Sequence, residues 1–454
     1  MHDLQNTVEG YLESAGYSIL DSREGFLVAD KAVIGGDRDT RLFWIPPLKA
    51  RVADFRVIEQ RLLKDFEVLI PQNPDAKYCI VAQTLEGFSR DFRSEAVKYR
   101  VKMLVPIWFF DTPFRIEENP SATSPITKLR DPGLPHERVS QPFCVLINDQ
   151  PQEHGTDLLP VLYDELRQPL GSCLRIIVGA AGAGKTVLFK TLFSRLYQHF
   201  LEKKRKQEVF PRPIPLIPEY LRQASALRVE ELFDSFIRTD VAASLQPSTF
   251  DWMLVNGYSM WLFDGLDELY AGDPDFFDRF LDLVTWPGSK AKILICVRNS
   301  LLKTSDTFNR FLNEFGIEDP IRVYQLKDWD TASKRTFAWI SLEKRVPRKE
   351  ENDTPQVTQF RSIISKSDSL NKLSSLPYYC DLLLDQFKQA TLREFTDDFG
   401  LIEYAIKGII KREMDKKLLS LEQLESDGLN EWLETVASEL YVKDHVISPP
   451  SESP

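Results

Sequence analysis

The sequence predicts an α/β protein with a parallel-sheet core, a mainly helical region behind it and a separate small α/β domain in front. Three observations predict it. Residues 173–196 pass from an apolar, β-branched run through a glycine-rich turn into an amphipathic helical pattern. Strand-like and helix-like segments alternate from about 159 to 325, and helix-like ones dominate over 326–447. Residues 1–115 carry their own series of short strands and amphipathic helices, set off by a proline-rich stretch.

In chain order, LQNTVEGYLES places Leu4, Val8, Tyr11 and Leu12 on one helical face, and Gly16 is positioned to end that helix. Short strands are expected at YSIL, GFLVA and RLFWI. VADFRVIEQRLLKDF repeats apolar residues at Val52, Phe55, Ile58, Leu62 and Phe66, the spacing of an amphipathic helix. KYCIVAQ reads as a strand, FSRDFRSEAVKYRV as a helix and KMLVPIWFF as one buried strand. Over 116–158, Pro120, Pro125, Pro132, Pro135, Pro142 and Pro151 sit among Ser, Thr and Asp, which predicts a linker, because each proline removes a backbone donor. The last residues, 448–454, read SPPSESP and are expected to be disordered.

With 454 residues, more than one core is expected. A net charge of −11 argues against a general nucleic-acid coat or a binder of anionic membranes. The five cysteines and five histidines are scattered without CxxC pairs, so neither zinc nor a disulfide framework is indicated. No signal-peptide pattern opens the chain, and VKMLVPIWFF is too short to span a bilayer. A cytoplasmic location and no membrane partner are expected.

CLRIIVGAAGAGKTVLFKTLFSRL holds a full GxxxxGK[ST]: Gly179, Ala180, Ala181, Gly182, Ala183, Gly184, Lys185, Thr186. A β-branched strand precedes it, and a helix with Leu188, Leu192 and Leu196 in register follows. Glycines let backbone N–H groups turn inward around phosphates where a side chain would collide. Lys185 then reaches the β- and γ-phosphates, the Thr186 hydroxyl ligates Mg²⁺, and the helix start adds its positive dipole end. The motif predicts a P-loop NTPase core over 159–325.

About 80 residues downstream, MWLFDGLDEL ends a buried strand in a group of acids. Asp264 at the strand tip is expected to hold the metal. Asp267 and Glu268 are candidates to activate the attacking water, since the turn begun by Gly265 brings them back toward the γ-phosphate.

This strand followed by Asp-Gly-Leu-Asp-Glu resembles the NACHT branch of the STAND P-loop NTPases, in which a small residue follows the magnesium-binding Asp. Ordinary AAA+ ATPases usually place Glu there, and this chain has Gly265. AKILICVRNS ends in Arg298, which matches the family's sensor position, and PIPLIPEYLR resembles the intervening strand. LNKLSSLPYYCDLLL is similar to the helical subdomain whose proline packs on the nucleotide base, which assigns Pro377 that role. FGLIEYAIKGIIKREMDKK resembles the start of a winged-helix region. The resemblance implies an ATP/ADP-controlled switch with slow hydrolysis, homo-oligomerisation on activation and a role in immunity or conflict such as anti-phage defence. A long C-terminal sensor, usual in such proteins, is not found within these residues, so a trigger or sensor partner is left open.

The element order of 1–115 resembles the restriction-endonuclease-like fold. Cleavage on that fold needs an Asp on one strand and Glu-x-Lys on the next. RLFWIPP stands where Glu-x-Lys belongs, and Asp30, Lys31, Asp37 and Asp39 do not give the spacing. A non-cleaving domain is expected, one that binds a partner or nucleic acid or mediates assembly. The alternative is an ATP-dependent nucleic-acid-processing enzyme with an N-terminal nuclease.

Overall fold

The computed structural model describes residues 2–32, 38–46, 52–82, 88–111, 139–147, 150–168, 171–217, 247–265, 287–299, 321–348, 351–366 and 368–388, with Leu85, Leu129, Val284 and Thr285 between them. Two compact units divide the chain. One comprises Met1–Pro132, Tyr163–Leu174 and Lys190–Ile295; the other comprises Gly133–Leu162, Arg175–Phe189 and Cys296–Pro454.

The first unit opens with α1 (His2–Ser14), β1 (Ser18–Arg23), β2 (Phe26–Ala32), β3 (Arg38–Trp44), α2 (Val52–Gln72), β4 (Lys77–Val81), α3 (Arg90–Lys98), β5 (Val101–Leu104) and α4 (Pro106–Asp111). The five strands lie side by side in chain order, β1, β2 and β3 antiparallel and β3, β4 and β5 parallel. Leu4, Val8, Tyr11 and Leu12 are buried, as the helical spacing requires. Gly16 ends α1 at φ +81°, with its N–H on Glu13 O and the Tyr17 N–H on Leu12 O. That pair of bonds satisfies carbonyls the helix leaves open.

One expected element differs. KMLVPIWFF is not one strand: β5 ends at Leu104 and Pro106 begins α4. A proline lacks the N–H a strand needs and is preset for the first helical turn, so the apolar run divides there.

The same unit holds most of α6 (Lys185–Arg205), then β9 (Arg212–Leu216), α7 (Pro247–Val255), β10 (Ser259–Phe263) and most of β11 (Lys292–Arg298). β9, β10 and β11 are parallel neighbours in that order. Cys173, which starts β8 (Cys173–Gly179), joins β11 through its N–H to Ala291 O at 2.7 Å. β9 tolerates Pro213 and Pro215 because it is the sheet's edge. The Arg212 N–H turns inward to Tyr258 O, so the two-residue period places both proline nitrogens on the outer side.

α1 and α4 meet α7 within this unit. Tyr11 contacts Phe109, Phe110 and Trp252 edge-on, at ring separations of 5.3, 5.1 and 5.7 Å. The Thr249 hydroxyl donates to Ser14 O at 2.7 Å, serving a carbonyl at the α1 terminus. Asp111 pairs with Arg212 and Lys204, and both Asp111 and Arg212 are buried.

In the second unit, β6 (Phe143–Ile147) and β7 (Gln150–Gly155) form an antiparallel hairpin, and β6 pairs antiparallel with β12 (Ile321–Leu326), the neighbour of β8. The hairpin occupies 143–155, inside the stretch expected to be linker over 116–158. Its apolar FCVLI run pairs with β12 instead of remaining extended. α5 (Leu158–Arg167) precedes β8; only its first residues, through Leu162, belong to this unit. Helices α8 (Thr331–Glu343), α9 (Pro355–Ile364), α10 (Asp368–Leu373) and α11 (Pro377–Lys388) follow. They enclose a core of Trp329, Trp339, Val357, Phe360, Leu383 and Leu384, to which Val139 also belongs. The segments expected to begin a winged helix and to form the tail at 448–454 lie outside the described residues.

Candidate nucleotide site

β8 is buried along its whole length and delivers Gly179 to the turn. The Ala183 N–H returns to Ala180 O at 3.1 Å, and the Leu188 N–H bonds Gly184 O at 2.9 Å, which makes Gly184 the residue from which α6 starts. Gly182 and Gly184 have φ of +81° and +92°, a region side chains rarely adopt. The Lys185 ammonium donates to Gly179 O at 2.7 Å and Ala180 O at 3.0 Å, so it lies back along the loop it belongs to. Thr186 is exposed in the first turn of α6. The loop thus offers a helix N-terminus, a lysine and a hydroxyl, the chemistry suited to phosphate with a hard cation.

The start of α11 meets this loop. The Tyr378 N–H donates to Gly182 O at 3.1 Å. A Cβ on Gly182 would lie 3.2 Å from both Tyr378 Cβ and Tyr379 Cε2, and one on Gly184 would lie 3.5 Å from Pro377 Cγ. Pro377, singled out in the sequence, is therefore brought to the loop. Gly182 is not a glycine the GxxxxGK[ST] pattern demands; its φ and the two tyrosines account for it.

Gln141, not singled out in the sequence, stands on the same loop. A Cβ on Gly184 would lie 3.5 Å from its Oε1. Its Nε2 donates to Lys327 O at 3.0 Å, its backbone N–H to Asp157 Oδ1 at 3.3 Å, and its carbonyl accepts from the Leu158 N–H at 3.1 Å. No motif marks a glutamine so far upstream; only the hairpin and β12 bring it here.

Asp264, buried directly after β10, donates its N–H to Leu216 O at 3.1 Å. Gly265 follows at φ +68° and turns the chain. Arg298 is the last residue of β11. Asp267 and Glu268 lie outside the described residues. No cluster of His, Cys, Asp and Glu able to hold a metal occurs among the described residues.

In the first unit's five-stranded sheet the register places the acids singled out in the sequence. Lys31 is opposite Asp39, and Asp30 opposite Thr40. Side chains alternate along a strand, so Asp30 and Asp39 lie on opposite faces. Asp39 accepts from Tyr17 and Arg41 and pairs with Lys77 at 2.8 Å, while Asp30 accepts from Thr40 at 2.8 Å. Burial works to raise the Asp39 carboxyl, and the bonds from Arg41, Lys77 and Tyr17 outweigh it and hold the group below the usual carboxylate range.

No protein-family model matches the chain, and no curated protein does. Among solved structures it is similar to the ORC2 protein of Aeropyrum pernix in its ADPNP–ADP complexes, at 13% identity and TM-score 0.34, covering 51% of this chain and 59% of that one. The ORC1 protein of Aeropyrum pernix in complex with DNA gives 15% identity and TM-score 0.33, over 63% of this chain and 78% of that one. Cdc6p from Pyrobaculum aerophilum gives 13% and 0.33, over 55% and 66%. No helix among the described residues is long and apolar enough to cross a membrane. On its strand order and its loop, the chain has a P-loop α/β core.

Proposed function

We propose that this chain is an ATP-binding, slowly hydrolysing switch of the NACHT type, whose nucleotide state sets the arrangement of its helical region and its self-assembly, in an immunity or conflict system. The observation that carries the reading is the bond from the Tyr378 N–H to Gly182 O. It ties the first turn of α11 to the loop that receives phosphates, so a change of loop conformation bears directly on the helical region. A nucleotide moves such an equilibrium only through contacts that differ between the two states. In this reading Gly179 to Thr186 hold the phosphates, Thr186 and Asp264 serve Mg²⁺, and Asp267 or Glu268 activates water. Arg298 and Pro377 sense the γ-phosphate and the base.

The test compares protein without nucleotide, with ADP and with ATP–Mg²⁺, by limited proteolysis and size-exclusion chromatography with light scattering. Distinct cleavage patterns for ADP and ATP, both lost in Lys185→Ala, are expected. Identical patterns in all three conditions would overturn the switch. Magnesium-dependent DNA cleavage by the wild type would support the nuclease alternative, against which the opposite facing of Asp30 and Asp39 weighs.

A further inference from the structure

We propose that Gln141 selects adenine nucleotides, its side-chain oxygen accepting a hydrogen bond from the 6-amino group of the base. The inference rests on the nucleotide-binding reading of the loop and adds a residue and a polarity to it.

Three facts carry it. Gln141 is buried, 5% exposed, at the join between the hairpin and the helical region. A buried amide in this position is held for its hydrogen bonds. Its orientation is fixed: the partner Lys327 O is a carbonyl, which accepts only, so the group facing it at 3.0 Å is the NH₂. Oε1 is then the end turned to Gly184, 3.5 Å from where a Cβ there would stand, with Pro377 Cγ at the same distance from that point. Among the described residues nothing donates to Oε1.

The surface at Gly184 thus has both an apolar ring and a fixed acceptor beside it. A purine fits that pairing if its edge offers a donor. Adenine presents an amino group at position 6, whereas guanine and hypoxanthine present a carbonyl there, which would face Oε1 acceptor to acceptor. A site built to pair with a polar group rejects the analogue lacking it, because its own group is left unsatisfied. Glutamine cannot turn over to present NH₂ without forfeiting the bond to Lys327 O.

The experiment measures binding of ATP, ITP and purine riboside triphosphate, which lacks the 6-amino group, to wild type, Gln141→Leu, Gln141→Glu and Lys185→Ala. Circular dichroism and nucleotide-free melting check that each variant is folded. The wild type is expected to bind ATP about tenfold more tightly than purine riboside triphosphate, and more tightly still than ITP. Gln141→Leu should bring the three affinities together by weakening ATP alone, and Gln141→Glu should do the same, because a carboxylate cannot donate to Lys327 O and its acceptor is no longer held in place. Equal affinity of wild type for ATP and purine riboside triphosphate would overturn the assignment, even if Gln141→Leu fails to fold. So would an unchanged ratio in a folded Gln141→Leu, or a loss seen with 2′-deoxy-ATP instead, which would place the acceptor on the sugar. If no triphosphate binds, or if Lys185→Ala binds as well as wild type, the nucleotide reading itself fails, a result distinct from loss of base preference.

Discussion

Tyr378 and Gly182 are joined by their backbones, N–H to carbonyl at 3.1 Å, with no side chain intervening. The contact is close because Gly182 lacks a Cβ. Position 182 therefore answers to two demands, a positive φ within the loop and the approach of α11 over it.

Gly182→Ala should fail on both counts. A side chain at φ +81° costs about 1–2 kcal/mol, and the new methyl would press on Tyr378 Cβ, which backbone attachment keeps from moving aside. The expected result is a melting temperature lowered by several degrees and weakened nucleotide binding. Gly171→Ala, also at positive φ but with nothing within 4 Å, separates the two effects, since it carries the strain without the contact. Equal losses in the two variants would show that the approach of α11 contributes nothing.

Asp111 and Arg212 form an ion pair that water scarcely reaches, with Lys204 on the second carboxylate oxygen. The Arg212 guanidinium also lies over the Tyr197 and Phe200 rings, at 5.7 and 5.4 Å. Removing one partner of a buried pair leaves the other charge uncompensated, at a cost of about 3–5 kcal/mol. Asp111→Asn should fall near the low end of that range, since the rings still offer Arg212 a favourable face. Urea denaturation measures it. Asp111→Leu with Arg212→Met should recover much of the loss, because the more deeply buried charge leaves with its partner and only Lys204, nearer to solvent, loses one.

Much of this architecture was legible in the residues. The spacing of Leu4, Val8, Tyr11 and Leu12 marked the buried face of α1, and GAAGAGKT marked its own strand and helix, because each is a local pattern with one physical solution. The division at Pro106 was also in the sequence, yet apolar composition hid it. The β6–β7 hairpin was masked by the prolines around it, although Asn148-Asp149 stands between its two strands. Gln141 had no local signal at all, and Tyr378 had none beyond its neighbour Pro377. They reach the loop from 38 residues before Gly179 and 196 after Gly182, by sheet pairing and helix packing that no window of sequence contains.

Gly10 lies in α1 facing α7, and a Cβ there would stand 2.9 Å from Trp252 Nε1. Two effects oppose each other in Gly10→Ala. Helix propensity favours alanine by about 1 kcal/mol. Overpacking against a rigid indole, itself stacked with Tyr258 at 5.8 Å, costs about 1–3 kcal/mol. The net expectation is destabilisation, and Gly10→Ala with Trp252→Phe should reverse its sign. A stabilised single variant would show that Trp252 yields freely.

Asp39 predicts a dependence on acid. Its folded carboxyl lies below the ordinary value of 3.8, since the bonds from Arg41, Lys77 and Tyr17 outweigh the effect of burial. A depressed carboxylate lends stability that is fully present above its unfolded pKa and is lost as pH falls through its folded pKa. At pH 6, Asp39→Asn should therefore be less stable than wild type by about 1–2 kcal/mol, a figure reduced from that of a buried pair because solvent screens Lys77 and part of the cluster. Below about pH 4 the gap should narrow steadily, as the unfolded wild type takes up a proton that the folded carboxylate still refuses. Melting curves from pH 6 to pH 3 on both proteins measure the gap. A gap constant across that range would mean that asparagine disturbs packing alone, and that the charge of Asp39 does not hold Arg41, Lys77 and Tyr17 together.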